Sequence, residues 1–495
     1  MSIGGFRLIR NSFFNLIGQG APLLAALVAI PLLIRGLGTD RFGVLTLAWM
    51  VIGYFSLFDL GLGRALTQVV AKRLTDRQDG RAPPVVWSAI AMMLVLGLLG
   101  TVVLSLISPW LVHSGIKIPA PLQAETLQSF YLLAAAIPIV VVTAGLVGIL
   151  SAFQRFGMIN AIRAPMGIFS FLAPLAILPF SQDLLLVTAA LVLGRLLACG
   201  AYVIVCRPLM PLLRLGLVLH CATLRPLFHF GAWMTVSNLI SPLMVYLDRF
   251  VIGAFISVAA VAYYTMPYEV VTKLLIVSGA IVGVLFPAFA TSYKENRDRL
   301  VLLFTRGTKY VALILFPVIL VITAFAHEGL RWWLGDEFAQ HSTPVLRCLA
   351  IGVYINGIAY VFATLIQGIG RPDLSAKLHF LELPVYLLAL WWAISNYGIV
   401  GAAIAWTGRV AVDGALLFWL SSRVLGGNSI LFKRMTAGLF ASVSGLAIPL
   451  LVENTTSKAI VVLVMLFAFA AISWLVVLAE DERAAIRYQL GRILP

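Results

Sequence analysis

Apolar stretches of about twenty residues, cut by short polar segments, fill almost the whole chain, and each is long enough for a helix to cross a hydrocarbon core about 30 Å thick. Fourteen such spans are expected, at roughly 13–34, 42–71, 85–107, 126–153, 161–180, 184–206, 231–255, 258–290, 308–326, 343–366, 377–394, 398–420, 435–452 and 458–479. Polar positions inside the spans are patterned. Asn11, Asn15 and Gln19 recur every four residues, so they stack on one helix face before Pro22 interrupts the backbone ladder. Ser237, Asn238, Ser241 and Pro242 repeat the arrangement in span 7. Asn15, Gln19 and Asn238 are expected to line a wet, bendable gate; hydrogen bonding between helices is the other use of such residues.

The spacing of cations sets the orientation. With the N-terminus inside, 24 Lys and Arg fall on the inner side, and only Arg35, Arg41, Lys117, Arg331 and Lys458 fall outside. That bias is the positive-inside signature, and one missed span would scramble it. Both termini are therefore expected on the cytoplasmic side. Trp49, Trp110, Trp332, Trp333, Trp391 and Trp392 fall at outer span ends, and Trp87, Trp233 and Trp419 at inner ends. Indoles favour the headgroup level. The first segment lacks a small-residue cleavage site and reads as a retained helix.

Composition agrees: 61% of residues are hydrophobic, 11% are charged, and mean hydropathy is +1.02. Soluble domains carry about a quarter charged residues. The net charge of +15 follows membrane topology and does not point to nucleic acid. The four cysteines, Cys199, Cys206, Cys221 and Cys348, lie in spans or inner linkers, so no disulfide is expected. CxxC, HExxH, GxxxxGK[ST] and GxSxG patterns are missing, which argues against an ATPase or a hydrolase. No metal site is indicated by ligand spacing. The sequon Asn454-Thr455-Thr456 reads as a chance match.

Six cations lie within apolar spans: Arg64, Arg195, Arg249, Lys273, Arg347 and Arg409. Each costs about 2.5–3.5 kcal/mol or more at a helix centre, so such residues face a bundle interior or a water-filled cavity. Arg195, Glu269 and Arg409 fall near mid-membrane and Lys273 one turn further in. Asp59 and Arg64 occupy the inner half of span 2, and Asp248 and Arg249 the outer third of span 7. Arg347 and Glu382 lie near interfaces, where Arg347 can snorkel. Glu269 with Lys273, and Arg409 with Asp413, are four apart and can pair on their own helices; self-paired, they would merely hold a lobe together.

Internal repetition is present. Gly194-Arg195-x4-Gly200-Ala201 recurs as Gly408-Arg409-x4-Gly414-Ala415, and Ala152-Phe153-Gln154-Arg155 has a counterpart in Gly368-Ile369-Gly370-Arg371. Phe42-Gly43-Val44-Leu45 is matched with Val261-Ala262-Tyr263-Tyr264. The near-constant offset implies a six-span duplication, with both copies entering from the same side. The expected fold is an all-α integral membrane protein of fourteen transmembrane helices: two parallel six-helix lobes (1–206 and 231–430), an amphipathic inner-surface linker (207–230), and two C-terminal helices with a short tail (431–495).

Phe58-Asp59-Leu60-Gly61-Leu62-Gly63-Arg64, Leu247-Asp248-Arg249-Phe250-Val251-Ile252-Gly253, Ala262-Tyr263-Tyr264 and Phe286-Pro287-Ala288 carry a family resemblance. Over about residues 10–430 the chain resembles the polysaccharide-export flippases, including those for O-antigen and exopolysaccharide repeat units. Their superfamily also holds the multidrug and toxin extrusion antiporters and the peptidoglycan-precursor flippases. The chain departs mildly at Ala262, where the family commonly has Gly. The resemblance implies a two-lobed bundle with a cation-lined cavity that moves a polyprenyl-pyrophosphate-linked oligosaccharide from the inner to the outer leaflet of the bacterial inner membrane, in company with membrane lipids and polysaccharide polymerase or export machinery.

The charges suit that substrate independently. A pyrophosphate entering a low-dielectric core needs cations, and the planar arginine fork binds phosphate bidentately. Arg64, Arg249, Lys273, Arg195 and Arg409 are the candidates for pyrophosphate contact. Asp59, Asp248 and Glu269 are the candidates for a coupling ion, Na⁺ or H⁺; no other cofactor is expected. The membrane potential would itself assist, since one charge crossing 100 mV gains about 2.3 kcal/mol. Other functions remain open: an ion-coupled multidrug exporter, which should prefer cavity acids, a peptidoglycan-precursor flippase, whose substrate has the same anionic anchor, or a membrane enzyme, which the short outer loops disfavour.

Overall fold

The structure, a computed structural model, describes residues 20, 22–54, 63, 66, 67, 70, 82–209, 246–426, 429–452, 454–484 and 487. Among them every regular element is helical. Ten helical stretches are long and apolar enough to cross a membrane, and Pro22–Leu37 (α1) is a shorter apolar helix. The protein is an all-helical, multi-pass membrane protein. The contacts divide it into two compact units, Met1–Thr265 and Met266–Pro495.

In the first unit, α2 is Thr39–Tyr54, α3 Ala82–Trp110, α4 Ala120–Ala152, α5 Phe156–Ile177, α6 Leu184–Cys206 and α7 residues 246–255. The central helix is α4, which packs on α3 and α6. Pro138 inside α4 lacks an N–H and so frees the carbonyl of Ala134. The Thr101 hydroxyl of α3 donates to that carbonyl at 2.8 Å. Gly97 beside it lets the two backbones close up, since a Cβ there would lie 2.5 Å from Pro138 Cα. A bare carbonyl in hydrocarbon would cost several kcal/mol, on the order of an unmade hydrogen bond, so Thr101 repairs what Pro138 breaks.

At the end predicted to be outer, Glu125 of α4 is the organiser. It accepts from Arg41 at 3.3 Å and from the backbone N–H of Leu184 at 3.1 Å. Asp183 caps the same helix start, accepting from Leu185 N–H at 2.8 Å. Lys117 closes the C-terminal end of α7: its ammonium donates to the Phe255 carbonyl at 2.6 Å. A cation suits orphan carbonyls at the negative end of a helix.

Helix α8, Val258–Thr272, is followed by α9 (Leu275–Glu295), α10 (Arg297–Ala324), α11 (Ala326–Leu334), α12 (Asp336–Gly368), α13 (Pro372–Val424), α14 (Ser429–Gly445) and α15 (Thr455–Ile472). The uninterrupted span expected at 258–290 has a joint: backbone bonds from Leu274 to Val271 and from Ile276 to Lys273 are of the tighter 3₁₀ spacing, and Lys273 sits in it. In the second unit α12 is central and packs on α9, α10, α11 and α13.

Helix α13 is two arms. Gly398 takes φ 58°, which breaks the helix, and Gly401 allows the arms to touch, since a Cβ there would lie 1.9 Å from the Ala393 carbonyl oxygen. Both α4 and α12 have 33 residues and start 216 positions apart. Each ends in the same turn. Arg155 N–H bonds to Leu150 O and Gln154 N–H to Ser151 O; Arg371 N–H bonds to Ile366 O and Gly370 N–H to Gln367 O. Gln154 (φ 56°) and Gly370 (φ 84°) both adopt the left-handed conformation of a helix C-terminal turn. The repeated loop motif of the sequence is thus a repeated backbone geometry.

The last two helices belong to the second unit. Glu328 of α11 pairs with Lys458 of α15 at 2.8 Å. At the other end, Glu482 takes hydrogen bonds from Lys309 and Tyr310 of α10, and Asp481 pairs with Arg306 at 2.5 Å. Phe316 stacks on Phe469 between the two clasps, with ring centroids 4.6 Å apart. Asn454 caps α15 through the backbone N–H of Thr456, at 2.9 Å, which gives the sequon a structural use.

Candidate functional site

The bend at Gly398 folds the arms of α13 into an antiparallel hairpin. Its register brings His379, Glu382 and Tyr386 of the first arm against Asp413 and Arg409 of the second. His379 and Glu382 share a face because they are three apart. His379 Nε2 lies 3.6 Å from Asp413 Oδ1. Ligand atoms of His379, Glu382 and Asp413 all lie within 4.8 Å of one another. Glu382 and Asp413 are each only 9% exposed. Among the described residues, neither Glu382 oxygen has a hydrogen-bond partner, nor has Asp413 Oδ1. The Arg409 guanidinium lies over the Tyr386 ring, 5.3 Å from its centroid, and its buried Nε has no acceptor among the described residues.

This cluster differs from what helical spacing suggests. Arg409 and Asp413 do not form an ion pair: Arg409 turns to Tyr386 across the hairpin and Asp413 to His379. Glu382 is buried within the hairpin. His379-x-x-Glu382 on an apolar span was the available signal. Its partner on the other arm depends on the hairpin register, which local periodicity does not contain.

In the second unit Lys273 pairs with Glu269 at 3.0 Å, as their spacing allows, and the two side chains are 48% and 41% exposed. In the first unit Asp248 and Arg249 are wholly buried. Asp248 accepts from the Tyr264 hydroxyl at 2.6 Å and from the backbone N–H of Arg249 at 2.8 Å, which ties α7 to α8. The Arg249 guanidinium lies 5.1 Å from the Tyr246 ring centroid. Arg347 donates to the Thr323 carbonyl at 3.2 Å and so completes the C-terminal end of α10.

Arg195, midway along the 23 residues of α6, lines a cavity of about 250 Å³ with Arg163, Ser170, Thr143 and Tyr202. Among the described residues the cavity lining contains no acid. Thr143 and Ser170 donate to carbonyls of their own helices and Tyr202 to Ile159 O, so the two guanidiniums are its available donors. Arg64, Asp59, Asn15, Gln19 and Asn238 lie outside the described residues.

A bundle of this kind, with cations set into apolar helices, can be compared with known proteins. The sequence profile of the polysaccharide biosynthesis protein family matches residues 8–293, more than half of the chain. The chain belongs to this family. Among its relatives, a putative O-antigen transporter of Shigella flexneri is 31% identical over 425 residues, covering 84% of this chain and 98% of that one. A probable low-salt glycan biosynthesis flippase of Haloferax volcanii is 25% identical over 202 residues, 40% of this chain and 43% of that one. The fold of this family member is similar to that of an inward-facing multidrug resistance MATE family transporter of the MOP superfamily. The TM-score is 0.67 at 17% identity, over 84% of this chain and 99% of that structure, a likeness of fold alone.

Proposed function

We propose that the protein is a flippase that carries a polyprenyl-pyrophosphate-linked oligosaccharide from the inner to the outer leaflet by alternating access, for surface polysaccharide synthesis. The observation that carries this reading is the cavity of the first unit, whose lining among the described residues carries both Arg195 and Arg163 and no acid. Such a site favours an anion and repels a cationic drug. The transporter and flippase names of the relatives agree with it. The substrate crosses without bond changes, so the protein is not an enzyme. It sits in the bacterial inner membrane with both termini cytoplasmic and hands its cargo to polymerase or export machinery.

Arg64, Arg195, Arg249, Lys273 and Arg409 are the cations that attend the pyrophosphate as the protein changes state. Asp59, Asp248 and Glu269 are acids able to bind a coupling ion. Deletion of the gene tests the reading. It should leave assembled lipid-linked oligosaccharide in the inner leaflet and remove a surface glycan. A strain that never makes the lipid-linked unit would show a biosynthetic enzyme instead, and loss of cell-wall synthesis would assign the peptidoglycan precursor.

A further inference from the structure

The buried charge cluster in the hairpin of α13 is unbalanced. With a neutral imidazole, Glu382, Asp413 and Arg409 sum to one negative charge. Two ionised carboxylates within 4.8 Å of a common imidazole, each 9% exposed, repel strongly in a low-dielectric surrounding. The bare oxygens of Glu382 and Asp413 are an independent sign that one positive group belongs among them.

We propose that His379, Glu382 and Asp413 form a proton-exchange site of the second unit, holding one proton that is taken up and released as the transporter cycles. The transport part of this rests on the flippase reading above. Chemistry selects the proton. One positive charge makes the cluster neutral, whereas a divalent metal would overshoot by one. Sodium takes oxygen ligands and has little use for an imidazole, but imidazole accepts and relays protons. Uptake forms one O–H or N–H bond with a proton from bulk water, and release breaks it. A protonated carboxyl then donates to its neighbour, which satisfies the bare oxygens.

Among the described residues, the groups that set its affinity come from the two arms and from α12. His379 and Tyr386 belong to the first arm and Arg409 to the second; Tyr360 of α12 lies within electrostatic reach of Arg409. Arg409 favours release. If outward movement of the substrate is exchanged for an entering proton, acid on the outer side should speed flipping.

The test uses the full-length protein. In nanodiscs, infrared difference spectra between acid and alkaline pH should show a buried carboxylic-acid band that Glu382→Gln with Asp413→Asn abolishes. Size-exclusion profiles confirm that the variant is folded, and His379→Gln should shift the midpoint of the band without removing it. No such band in the wild type overturns the proposal. So does a band lost when sodium chloride replaces choline chloride at constant pH, which would assign the site to sodium. In proteoliposomes with lipid-linked oligosaccharide, an acid-outside gradient should raise the flipping rate of the wild type and leave the double variant unresponsive. A band present with a gradient-insensitive wild-type rate overturns the coupling. A wild type that moves no oligosaccharide at all sinks the flippase reading, while the infrared band still decides whether the proton is held.

Discussion

Gly43 of α2 lies so close to the start of α8 that a Cβ on it would stand 2.1 Å from the Val258 carbonyl oxygen. The obstacle is backbone, so no rotamer change relieves it. Gly43→Ala should force the two helices apart at a cost of about 3 kcal/mol or more. A fluorescence-detected size-exclusion trace in mild detergent should show aggregated or absent protein. A monodisperse variant with an unchanged melting temperature would refute the contact.

The paired turns after α4 and α12 make a second prediction. Gln154 carries a side chain at φ 56°, where its counterpart is Gly370 at φ 84°. A side chain in the left-handed region costs about 1 kcal/mol. Gln154→Gly should therefore stabilise the protein by about that much, and Gly370→Ala should destabilise it similarly, because open space around Gly370 leaves only the backbone penalty. Melting temperatures in detergent should move in opposite directions.

The clasp at Glu482 predicts an acid dependence. Burial alone would raise the Glu482 carboxyl, but hydrogen bonds from Lys309, Tyr310 and the Ala479 N–H outweigh it and hold it down at about 2. A depressed carboxyl contributes stability above its unfolded value of about 4.3 and loses it as pH falls toward the folded value. Glu482→Gln should cost about 2 kcal/mol at neutral pH. The gap between wild type and variant should narrow as pH drops from about 5 toward 2. A gap that stays constant across that window would show that Glu482 is not ionised in the clasp.

Lys273 and Glu269 can be removed as a pair. Glu269→Gln with Lys273→Met leaves no unmatched charge at the joint between α8 and α9, so the protein should remain in the membrane at normal abundance. Surface glycan should nonetheless be lost, because the proposed pyrophosphate contact is gone. Abundant and active double variant would restrict Lys273 to a structural pair.

The limits of α6 were legible as an apolar run, since lipid imposes length and hydrophobicity on any helix that crosses it. The matching loops at 152–155 and 368–371 were legible too, because a left-handed turn after a helix is set by a few adjacent residues. Local spacing also placed Lys273 beside Glu269. It failed for Arg409 and Asp413. Both face the other arm of α13, where Arg409 lies over the Tyr386 ring and Asp413 lies beside His379. Arg347 likewise finds the Thr323 carbonyl of another helix. Helix existence and end turns depend on neighbours within about one turn, which a linear pattern contains. The partners of buried charges depend on the register of helices distant in sequence, and only packing decides that.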